Sequence, residues 1–574
     1  MYVETSTLGL LGPEILLLAI ATLLFVGGAF VRQREAWSLV ALVSYVVAFG
    51  WILCRVYTGT EAQVFSGPIS SSGMSTCLRL LAIVLGIAYT LVASQSTDKL
   101  LATEYLGSLM LIVVGLMLVA GANELVLLFL GFELISIPTY VLLFIGRRDR
   151  ATSEATMKYF FLSIMSSALL LFGLAFLFGM AGTTTIQGTA KAPGIREVLL
   201  KNAAENAAEA KVSGKVTVED QFVTTVEPVQ KVVAFKLAPN VSYSTPTTAT
   251  RALLALAPVA LVLILAGLGF KLTAAPFHFY APDVYQGTTA ANAGLLAVAP
   301  KIAGVVGIIR LVVIALPISA DFAWQLALVL AIVTMTIGNV CALWQKNIRR
   351  LMAYSAIAHG GYLLLGLAAA TGAVAIPELK ATGGVTAMVF YVVVYSLASL
   401  GTFTALAYLG SQRREIQSIN ELAGLGKSQP LAAAVIAVCM FSMAGLPPLA
   451  GFWGKFGLFM SALEISLGNV DPNVRFAFLA LLIIGALNAA IAAAYYLRLV
   501  SVMFFQSSTE PVPAGGGMGA LVAATLCGAL VVLAGVAPGS IMHLAGQYEA
   551  EMLQVADSLP VEPATSATAV LAEK

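Results

Sequence analysis

Charged side chains are scarce in this sequence. Only 10% of the 574 residues are charged, whereas a soluble globular protein carries about 25%. The 31 basic and 29 acidic side chains nearly cancel, so we expect no nucleic-acid partner. Apolar residues make up 59% of the chain, and apolar runs long enough to cross a membrane recur along it. The composition predicts a multi-pass protein of the lipid bilayer.

Motifs that hold metals, clusters or nucleotides are also missing. The five cysteines are single, with no C-x-x-C pair, which excludes an ordinary cysteine-ligated iron–sulfur cluster and a zinc ribbon. The sequence has three histidines and contains neither G-x-x-x-x-G-K-[ST] nor G-x-G-x-x-G. We therefore expect this chain to bind no cofactor and no metal. Its first residues lack the basic segment of a signal peptide, so the first apolar run is expected to be a retained helix.

The apolar runs predict about fourteen spanning helices, since one crossing needs about 20 apolar residues. Numbered as spans 1–14, they cover approximately 9–31, 37–57, 75–95, 102–121, 124–145, 155–181, 252–275, 289–315, 323–343, 349–371, 383–409, 430–466, 474–503 and 517–538. Span 12 is too long for one crossing and contains GLPPLAG, whose two prolines interrupt a helix.

Basic residues lie in the loops that follow odd-numbered spans, and the alternate loops carry few. Because basic loops stay on the cytoplasmic side, both termini are expected on the outer, periplasmic side. Residues 182–250 contain 7 basic and 6 acidic side chains and are expected to form an outer extramembrane insert. Its segment GIREVLLKNAAENAAEAK predicts a short helix, and KVTVEDQFVTTV predicts a pair of strands.

These features divide the chain into seven expected parts. They are 1–121 with spans 1–4, 122–181 with spans 5 and 6, the insert 182–250, 251–315 with spans 7 and 8, 316–503 with spans 9–13, 504–538 with span 14, and the tail 539–574.

Six ionisable side chains are predicted to lie deepest in the apolar runs. They are Glu133, Lys158, Lys271, Lys301, His359 and Lys455. A charge at the centre of a spanning helix costs about 2.5–3.5 kcal/mol on insertion scales, and such residues usually mark ion or substrate paths. Each position also has a structural interpretation. Glu133, Lys271 and Lys455 could form structural ion pairs, Lys158 could be a snorkelling end charge, and His359 could be a packing histidine.

Two of these lysines lie beside predicted helix breaks. Lys271 precedes Pro276, and Lys455 follows GLPPLAG. A helix break at membrane depth is tolerated only where the freed backbone groups face protein or a water-filled cavity. A pair of such breaks is typical of the central substrate site of a transporter. Spans 7 and 12 are five apart, an odd offset that requires inversion across the membrane. The sequence therefore predicts an all-α polytopic membrane protein of about 14 transmembrane helices. Spans 4–8 and 9–13 would form two inverted five-helix repeats, with broken helices at spans 7 and 12.

Glutamate, lysine and histidine in this setting suit proton transfer. An ammonium group buried without a partner loses proton affinity, and a carboxylate about 4 Å away restores about 4 kcal/mol at an effective dielectric of 20. Moving or neutralising Glu133 could therefore switch a lysine between holding and releasing a proton. A protonated lysine cannot ligate a cation, so protons suit this set of residues better than sodium.

Several segments are similar to those of one known family. LFLGFELISIPTY, MKYFFLS, GFKLTAAPFHFYAPDVYQG, APKIAG, MAYSAIAHGGY and AGLPPLAGFWGKF resemble the antiporter-like, proton-translocating membrane subunits of NADH-quinone oxidoreductase (respiratory complex I), subunit N above all. The resemblance covers most of the chain apart from 182–250 and the tail.

The resemblance implies a central proton relay without redox chemistry. Glu133 would gate Lys271 in the first half-channel, Lys301 would connect the halves, and Lys455 would serve the second half-channel. Lys158 matches another family lysine. NADH, FMN, iron–sulfur clusters and quinone would belong to partner subunits, and the partners would be other membrane-arm subunits in a bacterial inner membrane.

Two other functions fit the same segments. Homologous subunits occur in multisubunit cation/proton antiporters and in membrane-bound hydrogenases, and the shared core does not separate these from a respiratory quinone reductase. A scaffold or assembly protein is the third possibility. It predicts that neutralising the buried lysines changes only protein abundance.

Overall fold

The computed structural model describes residues 9–58, 67–147, 149–188, 192–213, 254–376, 383–410, 415–507, 512 and 514–546. Within these ranges the chain folds into α-helices joined by short connections, and no β-strand occurs among the described residues. The fold is all-α, as the sequence predicts.

The α-helices of the described residues are labelled in chain order. The first nine are α1 (Gly12–Phe30), α2 (Arg34–Tyr57), α3 (Gly73–Ser96), α4 (Ala102–Gly121), α5 (Leu125–Gly146), α6 (Arg150–Ala181), α7 (Ile195–Ser213), α8 (Ala257–Leu272) and α9 (Ala281–Gly287). The others are α10 (Ala290–Ile308), α11 (Ala320–Leu343), α12 (Ile348–Ala375), α13 (Gly384–Leu409), α14 (Leu425–Ser428), α15 (Pro430–Ala444), α16 (Ala450–Leu467), α17 (Pro472–Phe505) and α18 (Met518–Val536). A π-helical turn, Ile309–Ile314, continues α10, and 3₁₀ turns occupy Pro317–Ser319 and Ile419–Leu422.

Twelve helices in the described part of the chain are long and apolar enough to cross a membrane, and α8 and α15 are shorter apolar helices. This makes the chain a multi-pass membrane protein. The two shorter helices fall where spans 7 and 12 are predicted, because the helix stops at a break in each of these spans. The total of fourteen crossings and the inverted repeats stay predictions.

Both predicted interruptions are present. Helix α8 ends at Leu272, and the next residue, Thr273, has a left-handed backbone with φ +57°, which is rare for a β-branched side chain. Helix α15 ends at Ala444, and Gly445 takes a left-handed φ of +89°. The prolines that follow each helix end lack the N–H that would continue the helix. The breaks therefore arise from local sequence.

Helices α10 and α13 form the centre of the bundle and are buried along most of their length. Small residues let neighbouring helices approach this centre closely. A Cβ on Gly360 of α12 would lie 2.4 Å from the carbonyl oxygen of Leu272, so α12 packs directly against the broken end of α8.

The outer faces of α1, α2, α6 and α17 expose large aliphatic and aromatic side chains, as expected for helices that face lipid or a neighbouring subunit.

A buried ion pair joins two of the first helices. Glu14 of α1 and Arg79 of α3 approach to 2.6 Å, and both side chains are buried. Arg79 also donates a hydrogen bond to the Leu10 carbonyl. Removing one partner of such a pair leaves an uncompensated buried charge. The pair therefore fixes how α1 packs against α3.

The insert and the tail are described in part. The short helix predicted in the insert is confirmed by α7. The strand pair predicted within 215–226 lies outside the described residues. In the tail, residues 539–546 are helical.

Candidate functional site

The first two ionisable groups, Glu133 and Lys271, each bind a serine. Glu133 of α5 accepts a hydrogen bond from the hydroxyl of Ser167 at 2.5 Å. Lys271, at the broken end of α8, donates to the hydroxyl of Ser136 at 2.9 Å. Ser136 lies one helical turn after Glu133, so both charged groups converge on the same face of α5. Among the described residues they form no contact ion pair within 4.0 Å.

The third ionisable group, Lys301, binds at the break that ends α8. Lys301 of α10 is fully buried, and its ammonium donates to the hydroxyl of Thr273 at 2.9 Å. Thr273 is the left-handed residue that ends α8, so the strained backbone presents the oxygen that Lys301 binds. A Cβ on Gly304, one turn further along α10, would lie 3.5 Å from the Cβ of Lys271. The two lysines therefore lie on adjoining surfaces of α8 and α10.

His359 of α12 is enclosed by aromatic residues. Its Nδ1 lies 2.6 Å from the hydroxyl of Tyr391, and its Nε2 lies 3.0 Å from the hydroxyl of Tyr496. The ring of Tyr395 packs against His359 with centroids 4.6 Å apart. The Lys301 ammonium lies 5.7 Å from the centroid of that same Tyr395 ring. Tyr395 therefore stands between Lys301 and His359.

Lys455 of α16 closes the break between α15 and α16. Its ammonium donates to the carbonyls of Met443 at 2.8 Å and Ala444 at 3.0 Å. These are final carbonyls of α15, which the break leaves without helical partners. The ammonium also lies 5.1 Å from the ring centroid of Tyr362. The lysine thus combines a helix-capping role with a buried, titratable amine.

A small cavity connects His359 to Lys455. Both residues line it, together with Tyr391, Tyr395 and Ser442. The surface of this cavity is apolar. The cavity therefore makes the imidazole and the amine neighbours, with the ammonium of Lys455 turned to the carbonyls of α15.

Five of the six predicted residues lie near one another along the two helix breaks. We call Glu133, Lys271, Lys301, His359 and Lys455 the buried row, in which Glu133 is half-buried and the other four side chains are buried. Lys271 binds Ser136, Lys301 binds Thr273 and faces the Tyr395 ring, and His359 and Lys455 line one cavity. The row passes both helix breaks and joins residues that lie more than 300 positions apart in the chain.

Lys158 lies apart from the buried row. Its side chain is 41% exposed and forms ion pairs with Glu154 at 2.7 Å and Asp283 at 3.1 Å. Asp283, on α9, also pairs with Arg350 of α12 at 2.8 Å. Burial raises the pKa of the Asp283 carboxyl, but hydrogen bonds and charge from Lys158 and Arg350 outweigh burial and hold that pKa below its ordinary value. This geometry corresponds to the end-charge interpretation of Lys158, because a long side chain near the start of α6 reaches α9.

The sequence did not predict the hydroxyl groups that bind the charged side chains of the row. Ser136 is three residues after Glu133, and Thr273 is two residues after Lys271, so proximity to a buried charge was the available signal. Tyr391 and Tyr395 are four residues apart on α13, which places them on one helical face. Ser167 and Tyr496 carry no such signal, because they come from helices whose packing the sequence does not specify.

No metal-binding group emerges from this site. Within the described ranges, no cluster of three or more His, Cys, Asp or Glu side chains is placed to hold a metal ion. The chemistry available to the buried row is proton exchange among one carboxylate, three amines and one imidazole, with hydroxyl groups between them.

Fold and site together define a multi-pass α-helical membrane protein with two interrupted helices and a buried row of ionisable side chains. The family model described as "NADH:quinone oxidoreductase/Mrp antiporter, TM" matches residues 122–210 and 247–471. NADH-quinone oxidoreductase subunit N of Rhodospirillum rubrum is 32% identical over 567 residues, which cover 97% of this chain and 100% of that protein. Subunit N of Paramagnetospirillum magneticum is 31% identical over 87% of this chain and 88% of that protein. The chain belongs to the NADH:quinone oxidoreductase/Mrp antiporter transmembrane family, among the relatives named NADH-quinone oxidoreductase subunit N.

Solved structures share the fold. A chain of respiratory complex I from Thermus thermophilus matches with a TM-score of 0.67 and 25% identity, covering 93% of this chain and 100% of that one. A chain of the Mrp complex from Dietzia matches with a TM-score of 0.72 and 18% identity, covering 97% of this chain and 100% of that one. The second likeness concerns the fold alone.

Proposed function

We propose that this chain is the proton-translocating membrane-arm subunit of an NADH:quinone oxidoreductase. It couples quinone reduction to proton pumping through the buried row and carries no redox centre itself. The gathering of half-buried Glu133 and four buried ionisable side chains along the two helix breaks is the observation on which this proposal rests. NADH, FMN, iron–sulfur clusters and quinone are held by partner subunits, and the chain lies in a bacterial inner membrane with both termini outside.

The row has the properties that a proton relay needs. Its amines and imidazole are shielded from water, so their proton affinity responds strongly to nearby charge. Glu133 and Lys271 bind separate serines on α5 rather than each other, so a small movement of α5 relative to α8 alters their attraction. Lys301 and His359, which pack on the same Tyr395 ring, then take up the proton in turn on its way to Lys455. Lys158 is left out of this path and ties α6 to α9.

A cation/proton antiporter subunit is the second candidate, because the description of the matching family model also names the Mrp antiporter. Both functions use a buried path for protons, so a variant in the row does not separate them. The partner proteins separate the two functions, because only a quinone reductase assembles with proteins that carry electrons.

Purification of the native complex through a tag on this chain tests the proposal. We expect flavin and iron–sulfur absorbance to copurify, together with NADH:quinone reductase activity. A parallel purification from cells that carry the untagged chain is the control for nonspecific copurification. A tagged complex that contains only other membrane subunits and exchanges cations for protons would contradict the quinone-reductase assignment and support the antiporter.

A further inference from the structure

One carboxylate, Glu415, joins the ends of three helices that carry members of the buried row. It lies in the connection between α13 and α14, and its side chain is 16% exposed. Its Oε1 accepts a hydrogen bond from the backbone amide of Ala290, the first residue of α10, at 3.2 Å. Its Oε2 accepts from Arg349, at the start of α12, and lies 3.5 Å from Nη1 of Arg147, which follows α5. The three helices carry Lys301, His359 and Glu133.

Arg349 binds the approach to α10 as well as Glu415. Its side chain is only 2% exposed, and its Nη1 donates both to Glu415 and to the backbone carbonyl of Thr288, two residues before α10 begins. The helix dipole disfavours a cation in the first turn of a helix, so Arg349 does not serve to stabilise α12 itself. The carboxylate and the carbonyl compensate its buried charge. Arg349 and Glu415 therefore fasten the beginning of α10 to the beginning of α12.

Helix α10 has a weak point next to Lys301. Pro300 lies inside the helix, and because it lacks an N–H, the carbonyl one turn earlier has no helical partner. Residues 290–299 can therefore tilt relative to the part that starts at Lys301. Asn292 holds the beginning of α10 to the Leu142 carbonyl of α5, and Glu415 holds it to α12. The position of Lys301 depends on how this beginning is held.

The oxygen that Lys301 binds is also held by α12. The Thr273 hydroxyl, which accepts from the Lys301 ammonium, donates to the Ala356 carbonyl of α12 at 3.4 Å. Gly360, one turn later on α12, closely approaches the backbone just before Thr273. Helix α12 therefore contacts both partners of this hydrogen bond, Thr273 directly and Lys301 through the beginning of α10.

We propose that Glu415 is a positioning residue for Lys301. Together with Arg349, it holds the beginning of α10 on α12 and so keeps the Lys301 ammonium on the Thr273 hydroxyl. Ala290 and Lys301 are eleven residues apart, about 16 Å along a helix, so Glu415 acts through the placement of the helix and not by contact with the amine. This inference rests on the proposed proton-pumping function.

Two substitutions, Glu415→Gln and Thr273→Val, test the inference in the whole complex reconstituted into vesicles. A glutamine side chain can still accept from the Ala290 amide but does not balance the charge of Arg349. Since a misplacement of about 1 Å can cost about 100-fold in rate, we expect NADH-driven proton translocation per assembled complex to fall about tenfold. Thr273→Val keeps the β-branched shape and removes the hydroxyl that binds a charged group. We expect a loss of about tenfold there as well.

The double variant separates positioning from general destabilisation. If Glu415 acts by keeping Lys301 on Thr273, its replacement costs nothing further once the Thr273 hydroxyl is absent. We therefore expect the double variant to translocate protons within about twofold of the rate of Thr273→Val. Two independent effects would instead multiply to about 100-fold.

Glu421→Gln is the matched control, because it makes the same change six residues later in the same connection. Glu421 accepts from the backbone amides of Gln417 and Ser418, and a glutamine side chain can accept from them too. We expect wild-type assembly and rate. Glu415→Asp is the second variant, which keeps a charge near Arg349 if Glu415→Gln does not assemble. Its side chain is one methylene shorter, so we expect it to hold α10 less well and to show the same non-additive loss with Thr273→Val.

The outcomes separate this inference from the proposed function. A wild-type rate in Glu415→Gln or in Thr273→Val, multiplied losses in the double variant, or failure of both Glu415 variants to assemble would overturn the positioning role. If any of these occurs while Lys301→Met loses translocation, only this inference fails. If Lys301→Met translocates protons at the wild-type rate, the proposed function itself fails.

Discussion

Replacing Lys455 with arginine is expected to stop proton pumping while the complex stays assembled. Arginine can still donate hydrogen bonds to the carbonyls of Met443 and Ala444, so the end of α15 keeps its partners. Its guanidinium, however, does not give up a proton in proteins. A positioned acid–base group contributes about 10²–10⁴ to a rate. We therefore expect NADH-driven proton translocation per assembled complex to fall by about 100-fold or more.

The matched control is Lys346→Arg, the same change at an exposed lysine outside the buried row. Assembly of each variant is measured by the yield of flavin-containing complex. Lys455→Arg complexes that assemble and pump at the wild-type rate would show that Lys455 is only a helix cap. Loss of assembly in Lys455→Met with normal assembly in Lys455→Arg would separate the capping role from the proton-transfer role.

The second large effect is expected from Gly451→Ala, at the start of α16. An added Cβ would lie 1.7 Å from the backbone carbonyl oxygen of Ser442, on α15. Neither backbone can move without opening the break that positions Lys455. Overpacking commonly costs about 1–3 kcal/mol and occasionally more, and a backbone clash of this size belongs at the upper end. We expect the amount of assembled complex in membranes to fall at least about tenfold, the equivalent of ~1.4 kcal/mol.

Gly457→Ala is the control on the same helix. Its Cβ would lie 3.5 Å from the Cβ of Ala387, an ordinary contact, and alanine favours a helix over glycine by about 1 kcal/mol. Normal or slightly increased assembly is expected for this variant. Equal assembly of the two variants would contradict the close approach of α15 and α16 at the break.

The positions of the helices and of their breaks could be predicted because both depend on local chemistry. Apolar length predicted the spans, and the prolines after Lys271 and before Lys455 predicted the interruptions. The buried charges were found because few other ionisable groups interrupt the apolar runs. Span 7 begins and ends a few residues from the limits of α8, Ala257–Leu272, since helix ends depend on caps that hydrophobicity does not reveal.

The links between the charges could not be predicted because they depend on tertiary packing. Many serines, threonines and tyrosines occur in the spans, and periodicity does not show which of them meet a lysine. Thr273 acquires its role from a left-handed backbone that only the break imposes. Lys158 illustrates the reverse case. Its sequence context is that of a relay lysine, but its amine reaches Glu154 and Asp283 instead of the row.

Replacement of the middle of the row tests the central claim most directly. Lys301 is fully buried and bonds the hydroxyl of Thr273, between the two helix breaks. Lys301→Met keeps much of the side-chain volume and removes the exchangeable proton. The measurement is proton translocation per assembled complex in vesicles energised with NADH. The account predicts that translocation nearly stops in Lys301→Met, and translocation at the wild-type rate would show that protons do not travel along this row.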